Sequence, residues 1–256
     1  MRSKQARWLL GLIIHCAPNY PIPIDLLHWA LYRHLARAWS WRRVLRLKPK
    51  VDLGRVLARP VNLGLLKLRG AGSGLVIHPL IVGYIRRHLD DPDRWLPILA
   101  QTLNAAADDA ISAGEDALLA ALAPHLEIVA ESAQEAGLVH AGVLWDELGV
   151  YHFKAGDLDE AREALDWGLA VSEESLGLKH PVVTGQLVDL GAVLLAQGNL
   201  ERAEAVLERA LAVGGREGAE SAIRRVLPLL PKDHPRTEEV REQLEALVRA
   251  EADGGE

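Results

Sequence analysis

Cysteine is nearly missing from this chain of 256 residues, since Cys16 is its single thiol. One cysteine excludes an intramolecular disulfide framework and a cysteine-rich metal site, and it fits the reducing environment of the cytoplasm. Long apolar runs are missing as well. The run 8–17 has ten residues, whereas a helix needs about 20 to span a bilayer. It contains His15 and ends at Pro18 without a small-x-small cleavage pattern, so it predicts a buried first helix rather than a secretory signal.

Acidic side chains are scarce at the start of the chain. Residues 1–89 contain 16 Lys and Arg but only two acids, Asp25 and Asp52, whereas residues 90–256 contain 13 basic and 33 acidic residues. The formal charges of these two parts are +14 and −20. A basic domain can contact nucleic acid or phosphate; alternatively, the two halves attract each other. The charges predict a basic domain over 1–90 and an acidic domain over 91–256.

Motifs that carry catalysis are also missing. The histidines, among them His125, His140 and His152, do not have the spacing of zinc ligands. The sequence contains neither a nucleophile elbow nor a kinase signature. The glycine-rich stretch 70–74 is followed by Leu75 rather than by the Lys and Ser or Thr of a phosphate-binding loop. The sequence therefore predicts a protein that is not an enzyme and that uses neither a cofactor nor a metal ion.

A repeat with a period of 42 residues occupies the acidic half. The recurring pairs are Leu148 and Leu190, Gly149 and Gly191, Gly156 and Gly198, Ala161 and Ala203, and Leu165 and Leu207. In each unit, the first glycine lets a second helix approach closely, and the second glycine ends a helix in the left-handed conformation. Asp157 or Asn199 then caps the next helix. The pattern predicts helix–turn–helix units that stack on one another.

These residues resemble the tetratricopeptide repeat, in its 42-residue kinesin-light-chain-like variety. The linker 177–181 resembles the Gly-x-x-His-Pro linker of that variety, and a second His-Pro pair precedes 237–250, which is predicted to be a capping helix. Gly168 departs from the pattern, which has alanine there, and 214–230 fits no clean repeat. Because about three repeats are needed for a stable array, helices at about 94–112 and 115–136 are predicted to form a degenerate repeat pair.

The resemblance to this repeat family implies a protein or peptide partner. In such arrays the first helix of each repeat lines a concave surface on which partners bind. Carried over to this chain, the candidate partner-binding residues are Asp146, Val150, Lys154, Gln186 and Asp189. The alternative at each position is an ordinary solvated or inter-repeat residue.

The basic half begins with two predicted helices, 8–16 and 25–38, joined by a proline-rich extended turn. A third helix is predicted over 51–61. The apolar runs 65–68 and 75–77 then flank the glycine-rich turn as a β-hairpin. Helices followed by a hairpin predict a winged helix-turn-helix. The predicted fold class is therefore mainly α, with this domain followed by an α-α superhelical, tetratricopeptide-like repeat array.

The segment from Asp52 to Arg87 resembles the winged-helix domain of STAND-type (NB-ARC-like) signalling ATPases. In that family a Met-His-Asp-like motif contacts the nucleotide phosphate through its histidine, which corresponds to His78 here. Ile77 and Pro79 replace the flanking residues, and the chain has no Walker A motif. The resemblance implies either the C-terminal portion of a larger ATPase or a reduced relative that has lost the ATPase, with the nucleotide-binding domain supplied elsewhere.

Two functions remain open at this point. The first is a scaffold or sensor of a STAND-like signalling or defence protein, whose repeats bind a protein partner. The second is a transcription regulator whose winged helix binds DNA. The candidate nucleic-acid contacts, all basic residues that can neutralise phosphates, are Arg42, Arg43, Arg46, Lys48, Lys50, Arg55 and Arg59. Only the last two of these belong to 51–61, the predicted recognition helix, which favours the first function.

Overall fold

The computed structural model describes residues 2–30, 53–70 and 74–226, and the chain divides into two compact units, Met1–His140 and Ala141–Glu256. The described part is mainly helical, with one small sheet in the first unit. Several predicted features lie outside the described residues: most of the helix 25–38, the basic residues from Arg42 to Lys50, and the capping helix 237–250.

The first unit contains five labelled helices, and residues 24–30 are helical as well. The labelled helices are α1 (Arg2–Ile13), α2 (Leu53–Asn62), α3 (Pro79–His88), α4 (Leu96–Ala113) and α5 (Asp116–Glu135). The predictions of helices at 51–61, 94–112 and 115–136 are confirmed within one or two residues at each end. The buried first helix is also confirmed, although it begins earlier than predicted; its residues Leu12 and Ile13 are completely buried.

Three short antiparallel strands form the sheet in the order β1-β3-β2. The strands are β1 (Ile22–Pro23), β2 (Leu66–Arg69) and β3 (Gly74–Ile77). Strands β2 and β3 form the predicted hairpin, in which Leu66 pairs with Ile77 and Leu68 pairs with Leu75. Strand β1 lies in the stretch predicted to be an extended turn. A strand of two residues is too short for an alternating apolar pattern, so its pairing with β3 could not be predicted from the sequence.

Buried histidines tie distant parts of the first unit together. The backbone N–H of Ala17 donates to Nδ1 of His125 on α5 at 3.0 Å, so the ring proton is on Nε2, which donates to the Pro21 carbonyl at 3.1 Å. The buried ring of His15 also contacts a distant backbone group: its Nε2 atom lies 3.0 Å from the carbonyl oxygen of Pro92. Burial lowers the pKa of both histidines. Helix α5 therefore packs with the start of the chain, and the packing boundary lies at His140, whereas the charge boundary lies near residue 90.

The described residues of the second unit, 141–226, form two helical hairpins. Its helices are α6 (Ala141–Ala155), α7 (Leu158–Leu176), α8 (Pro181–Ala196) and α9 (Leu200–Val226). Helix α6 packs with α7, α8 packs with α9, and α7 and α8 pack against each other between the hairpins. Leucines at repeat-equivalent positions, Leu165 and Leu207, are buried in one shared core. Gly156 and Gly198 have φ values of 88° and 74°, which confirms the predicted left-handed turn of each unit.

Glycines set the distance between the helices of each hairpin. A Cβ atom on Gly149 would lie 2.6 Å from Cγ of Leu165, and a Cβ atom on Gly191 would lie 2.6 Å from Cδ2 of Leu207. Carbon atoms do not approach this closely without overlap, so neither glycine can be replaced unless the leucine moves. The same pair of residues makes the same contact in both repeats, as the 42-residue period predicts.

A close contact between two helices explains why residue 168 is glycine, where the repeat pattern has alanine. A Cβ atom on Gly168 would lie 2.8 Å from the carbonyl oxygen of Gly142, and a Cβ atom on Gly142 would lie 2.8 Å from the carbonyl oxygen of Gly168. Helices α6 and α7 therefore cross backbone to backbone. In the second repeat Ala210 occupies the place of Gly168 and is completely buried, so that crossing leaves room for one methyl group.

Each hairpin has a second contact between small residues, in which a glycine on one helix faces a hydroxyl residue on the other. In the first hairpin Gly142 on α6 faces the Ser172 hydroxyl on α7; in the second, Thr184 on α8 faces Gly214 on α9. A methyl group on either glycine would overlap the hydroxyl-bearing side chain opposite it. Each hairpin thus has one glycine and one small hydroxyl residue at this contact, with the glycine on the first helix in one repeat and on the second helix in the other.

We expect the free energy of unfolding to decrease as the pH falls below about 6.5, the ordinary histidine value. The unfolded chain binds protons at His15 and His125 in that range, whereas the folded chain, with lowered pKa values, does not, so acid favours unfolding. Urea unfolding between about pH 8 and about pH 5 measures this dependence. In His125→Leu the dependence should be weaker, and the orphaned Ala17 N–H should cost about 1–3 kcal/mol. Equal pH profiles for parent and variant would contradict the assignment.

Gly168→Ala should lower the free energy of unfolding by about 1–3 kcal/mol, because the added methyl group meets backbone atoms that cannot rotate away. Gly185→Ala is the matched control. Gly185 lies in helix α8, and an added Cβ atom has no described atom within 4 Å. Alanine there should stabilise the protein by about 0.5–1 kcal/mol, since glycine is a poor helix former. Thermal unfolding compares the two variants; the same shift in both would rule out the backbone crossing.

Candidate functional site

The first helices of the two repeats, α6 and α8, carry the residues predicted to bind a partner. Lys154 is exposed, whereas Asp146, Val150 and Asp189 are half-buried. The three charged residues among these four also interact with other groups of the protein. Four of the five predicted residues are therefore accessible at least in part.

Gln186, the fifth predicted residue, is an internal contact. Its side chain is only 1% exposed, and Nε2 donates to the carbonyl oxygen of Gly142 at 2.9 Å, which links α8 to α6. Its Oε1 atom is buried and has no hydrogen-bond partner among the described residues. The 42-residue shift aligns Gln186 with Leu144, a fully buried residue, and this alignment is the signal that identifies Gln186 as a core position.

Gly185 is a candidate that the sequence reasoning missed. It lies four residues before Asp189 on α8, so the two share a helix face. The described residues give no packing reason for a glycine at this position, because an added Cβ atom would meet nothing within 4 Å. The missing side chain leaves the backbone of α8 partly exposed at this position.

Residues at helical spacing extend this face onto the neighbouring helix. Val143, Asp146, Val150 and Lys154 follow one another at intervals of three and four residues on α6, which packs against α8. We call the whole set the array face; its members are Val143, Asp146, Val150, Lys154, Gly185 and Asp189. The array face combines apolar side chains, charges and an open stretch of backbone.

Residues 140–215 match the tetratricopeptide repeat family. The match covers α6, α7 and α8 and reaches into α9, so it confirms the two predicted repeats. Tetratricopeptide repeats generally mediate protein–protein interaction, and they are generally non-enzymatic. No curated protein matches this chain.

A polar depression of about 460 Å³ lies where the two repeats begin their second helices. It is lined by Leu158, Asp159, Arg162, Gln197, Asn199 and Arg202. Several of these groups interact within the protein: Gln197 Nε2 donates to Asp159 Oδ1 at 2.9 Å and to the Leu158 carbonyl at 3.1 Å. Arg162 forms an ion pair with Asp166 at 3.2 Å. The depression is therefore a hydrogen-bonded seam between repeats.

His78, the residue that the STAND resemblance assigns to a nucleotide phosphate, caps a helix. Its Nδ1 atom accepts a hydrogen bond from the Leu80 N–H at 3.2 Å at the start of α3, with Pro79 in the first turn. His180 caps α8 in the same way, with nearly the same backbone angles and Pro181 after it. The cap accounts for His78 within this chain, and its contact with a nucleotide stays a prediction.

Four basic side chains are exposed near the hairpin of the first unit. Arg55 and Arg59 share one face of α2, and Lys67 and Arg69 lie on β2, against which α2 packs. Sequence reasoning named the two arginines but not the pair on the strand. The other predicted nucleic-acid contacts, from Arg42 to Lys50, lie outside the described residues.

The described residues offer no obvious catalytic group. Burial raises the pKa of the Cys16 thiol to about 12, so it is not a thiolate at neutral pH. Among residues 2–30, 53–70 and 74–226, no three His, Cys, Asp or Glu side chains are grouped so that they could hold a metal ion. Within the same residues, every helix is too short or too polar to cross a membrane.

Proposed function

We propose that the array face binds a segment of another protein, and that the chain acts as an interaction scaffold or sensor. The observation that carries this proposal is Gly185, a glycine inside a helix on the accessible first-helix side of a tetratricopeptide-type array, without a packing reason in the described fold. A helix interior tolerates glycine at a cost. Glycine at this position would allow the main chain of a partner to approach α8 closely, which accounts for the cost in helix stability.

The charge of the array favours a basic partner segment. Residues 140–215 contain 13 Asp and Glu but only 5 Lys and Arg. Asp146 and Asp189 belong to the array face itself. Complementary charge raises association rates and disfavours wrong partners, so a segment rich in Lys or Arg fits this surface better than an acidic one.

In our proposal the scaffold belongs to a STAND-like signalling or defence protein, in the cytoplasm. The order of elements in the first unit supports a winged helix: helix α1, strand β1, helical segments, and then the β2–β3 hairpin, with β3 central in the sheet. The single buried thiol, Cys16, fits a reducing compartment. A nucleotide-binding domain, from a separate protein or a longer chain, completes this proposal.

Selection from a random peptide display library on the purified protein tests the array face. We expect basic peptides to be enriched and to bind parent protein in fluorescence anisotropy titrations. Asp189→Lys should weaken binding by about tenfold or more, because it places a like charge against the peptide. Glu163→Lys makes the same charge change on an exposed part of α7 and is the control, for which we expect less than about twofold. Equal losses in the two variants, or peptides without basic residues, would contradict the proposal.

DNA binding by the first unit is the second candidate function, and the exposed residues Arg55, Arg59, Lys67 and Arg69 favour it. If these residues meet phosphates, a mixed-sequence duplex should bind at low salt and dissociate steeply as salt rises. Arg59→Ala and Lys67→Ala should each reduce the slope of log K against log salt by about 1, whereas Lys179→Ala, in the second unit, should not change it. Absence of binding at low salt would reject this function.

A further inference from the structure

Helix α3 exposes apolar side chains that no described part of the chain covers. None of its residues is fully buried. Ile81, Val82 and Ile85 are half-buried and face the first unit, whereas Leu80 and Tyr84 on the other side are 77% and 59% exposed. A surface helix is normally polar on its outer side. An apolar outer side therefore indicates a surface that another molecule covers.

A glycine separates these two side chains. Leu80, Gly83, Tyr84 and Arg87 follow one another at helical spacing and are all exposed; we call them the α3 stripe. A Cβ atom on Gly83 would meet no described atom within 4 Å. The crossing of α6 and α7 requires Gly142 and Gly168, but no contact in the described fold requires Gly83. It leaves a notch beside Leu80 and Tyr84 through which a partner backbone can approach α3.

The α3 stripe is held in place before any partner arrives. The His78 cap fixes the start of the helix, and Arg86 Nη2 donates to the Ile14 carbonyl at the end of α1 at 3.1 Å. The Tyr84 ring stacks on the His88 ring at 4.2 Å, and Nδ1 of His88 lies 2.8 Å from the Tyr84 carbonyl oxygen. An ordered side chain loses less conformational entropy on binding than a free one.

Charge around the stripe selects the partner. Residues 53–89 contain six Lys and Arg and no Asp or Glu. Arg87 is exposed at one end of the stripe, directly after Arg86, whose guanidinium donates to the Ile14 carbonyl. An acidic partner can therefore form ion pairs with Arg87 at the edge of the apolar contact, provided that its acidic residues lie away from Asp90 and Asp91, which follow the helix.

We propose that the α3 stripe binds an amphipathic helix of another protein, with acidic residues beside its apolar face. Side chains at i, i+3, i+4 and i+7 form the ridges and grooves through which two helices pack at about 8–10 Å, and Gly83 lets the partner approach at the short end of this range. A bilayer presents no polymer backbone, and a nucleic acid presents a charged sugar–phosphate backbone, which does not suit a notch between Leu80 and Tyr84. This surface is separate from the array face, and the inference does not depend on the proposed function.

The test uses a display library of amphipathic helical peptides with a fixed Leu and Ala stripe and randomised outer positions, selected on the full chain. We expect acidic peptides to be enriched. In anisotropy titrations, Leu80→Glu and Gly83→Ala should each weaken binding of a selected peptide by about tenfold or more. Gly83→Ala should at the same time raise the melting temperature by about 2–4 °C, since alanine is the better helix former. A loss of affinity in a more stable protein cannot come from misfolding.

The control is Leu178→Glu, which changes an exposed leucine of the second unit that is 56% accessible, and it should leave peptide affinity unchanged. Asp189→Lys on the array face should also leave it unchanged, which separates this inference from the proposed function. Enrichment of neutral or basic peptides, or an unchanged affinity in Gly83→Ala, overturns the proposal. Binding of the protein to anionic phosphatidylserine vesicles or to duplex DNA in place of the peptides, with loss in Leu80→Glu, also overturns it.

Discussion

The backbone crossing of α6 and α7 at Gly142 and Gly168 is the contact on which the second unit depends. The same Gly142 carbonyl that lies against Gly168 also accepts the hydrogen bond from Gln186 of α8. One peptide group therefore positions three helices: its closeness to α7 sets the spacing within the first hairpin, and its oxygen sets the spacing to the second. Displacing this carbonyl disturbs both contacts, and it leaves the buried Gln186 amide without its acceptor.

The position of the array face follows from this crossing. Gln186 faces inward because its amide holds α6, whereas Gly185 and Asp189, four residues apart, lie beside it on the half-exposed edge of α8. The accessible side chains of α6 are those that do not meet α7. The array face therefore consists of those parts of α6 and α8 that contact neither the second helix of their own repeat nor the other repeat.

Much of this arrangement could be predicted from the sequence, and the failures have identifiable reasons. The 42-residue period predicted the turns at Gly156 and Gly198 and the close approach of a second helix at Gly149, because local conformation and close packing restrict residue type strongly. The resemblance assigned Gln186 to the binding surface as a residue of a first helix, but its burial and its hydrogen bond to the neighbouring helix α6 make it an internal contact. The backbone crossing at Gly168 could not be predicted, because the sequence does not show that Gly142 lies opposite it.

The first unit shows a different limit. Charge changes sign near residue 90, but α5 packs with β1 near the start of the chain, where the His125 ring bridges backbone groups more than a hundred residues away in sequence. Net charge describes the solvent-facing side chains, whereas packing depends on the buried ones. A boundary read from charge alone therefore separates elements that share a core.

The exchanged glycine between the two repeats has a consequence for how such an array can change. Gly142 faces Ser172 in one hairpin, and Thr184 faces Gly214 in the other. A chimaera that moved a single helix from one repeat to the other would bring two hydroxyl side chains together, or two glycines, and so create either a steric overlap or a void. Only a complete hairpin carries a matched pair. Duplication, loss or transplantation in this array is therefore restricted to whole hairpins.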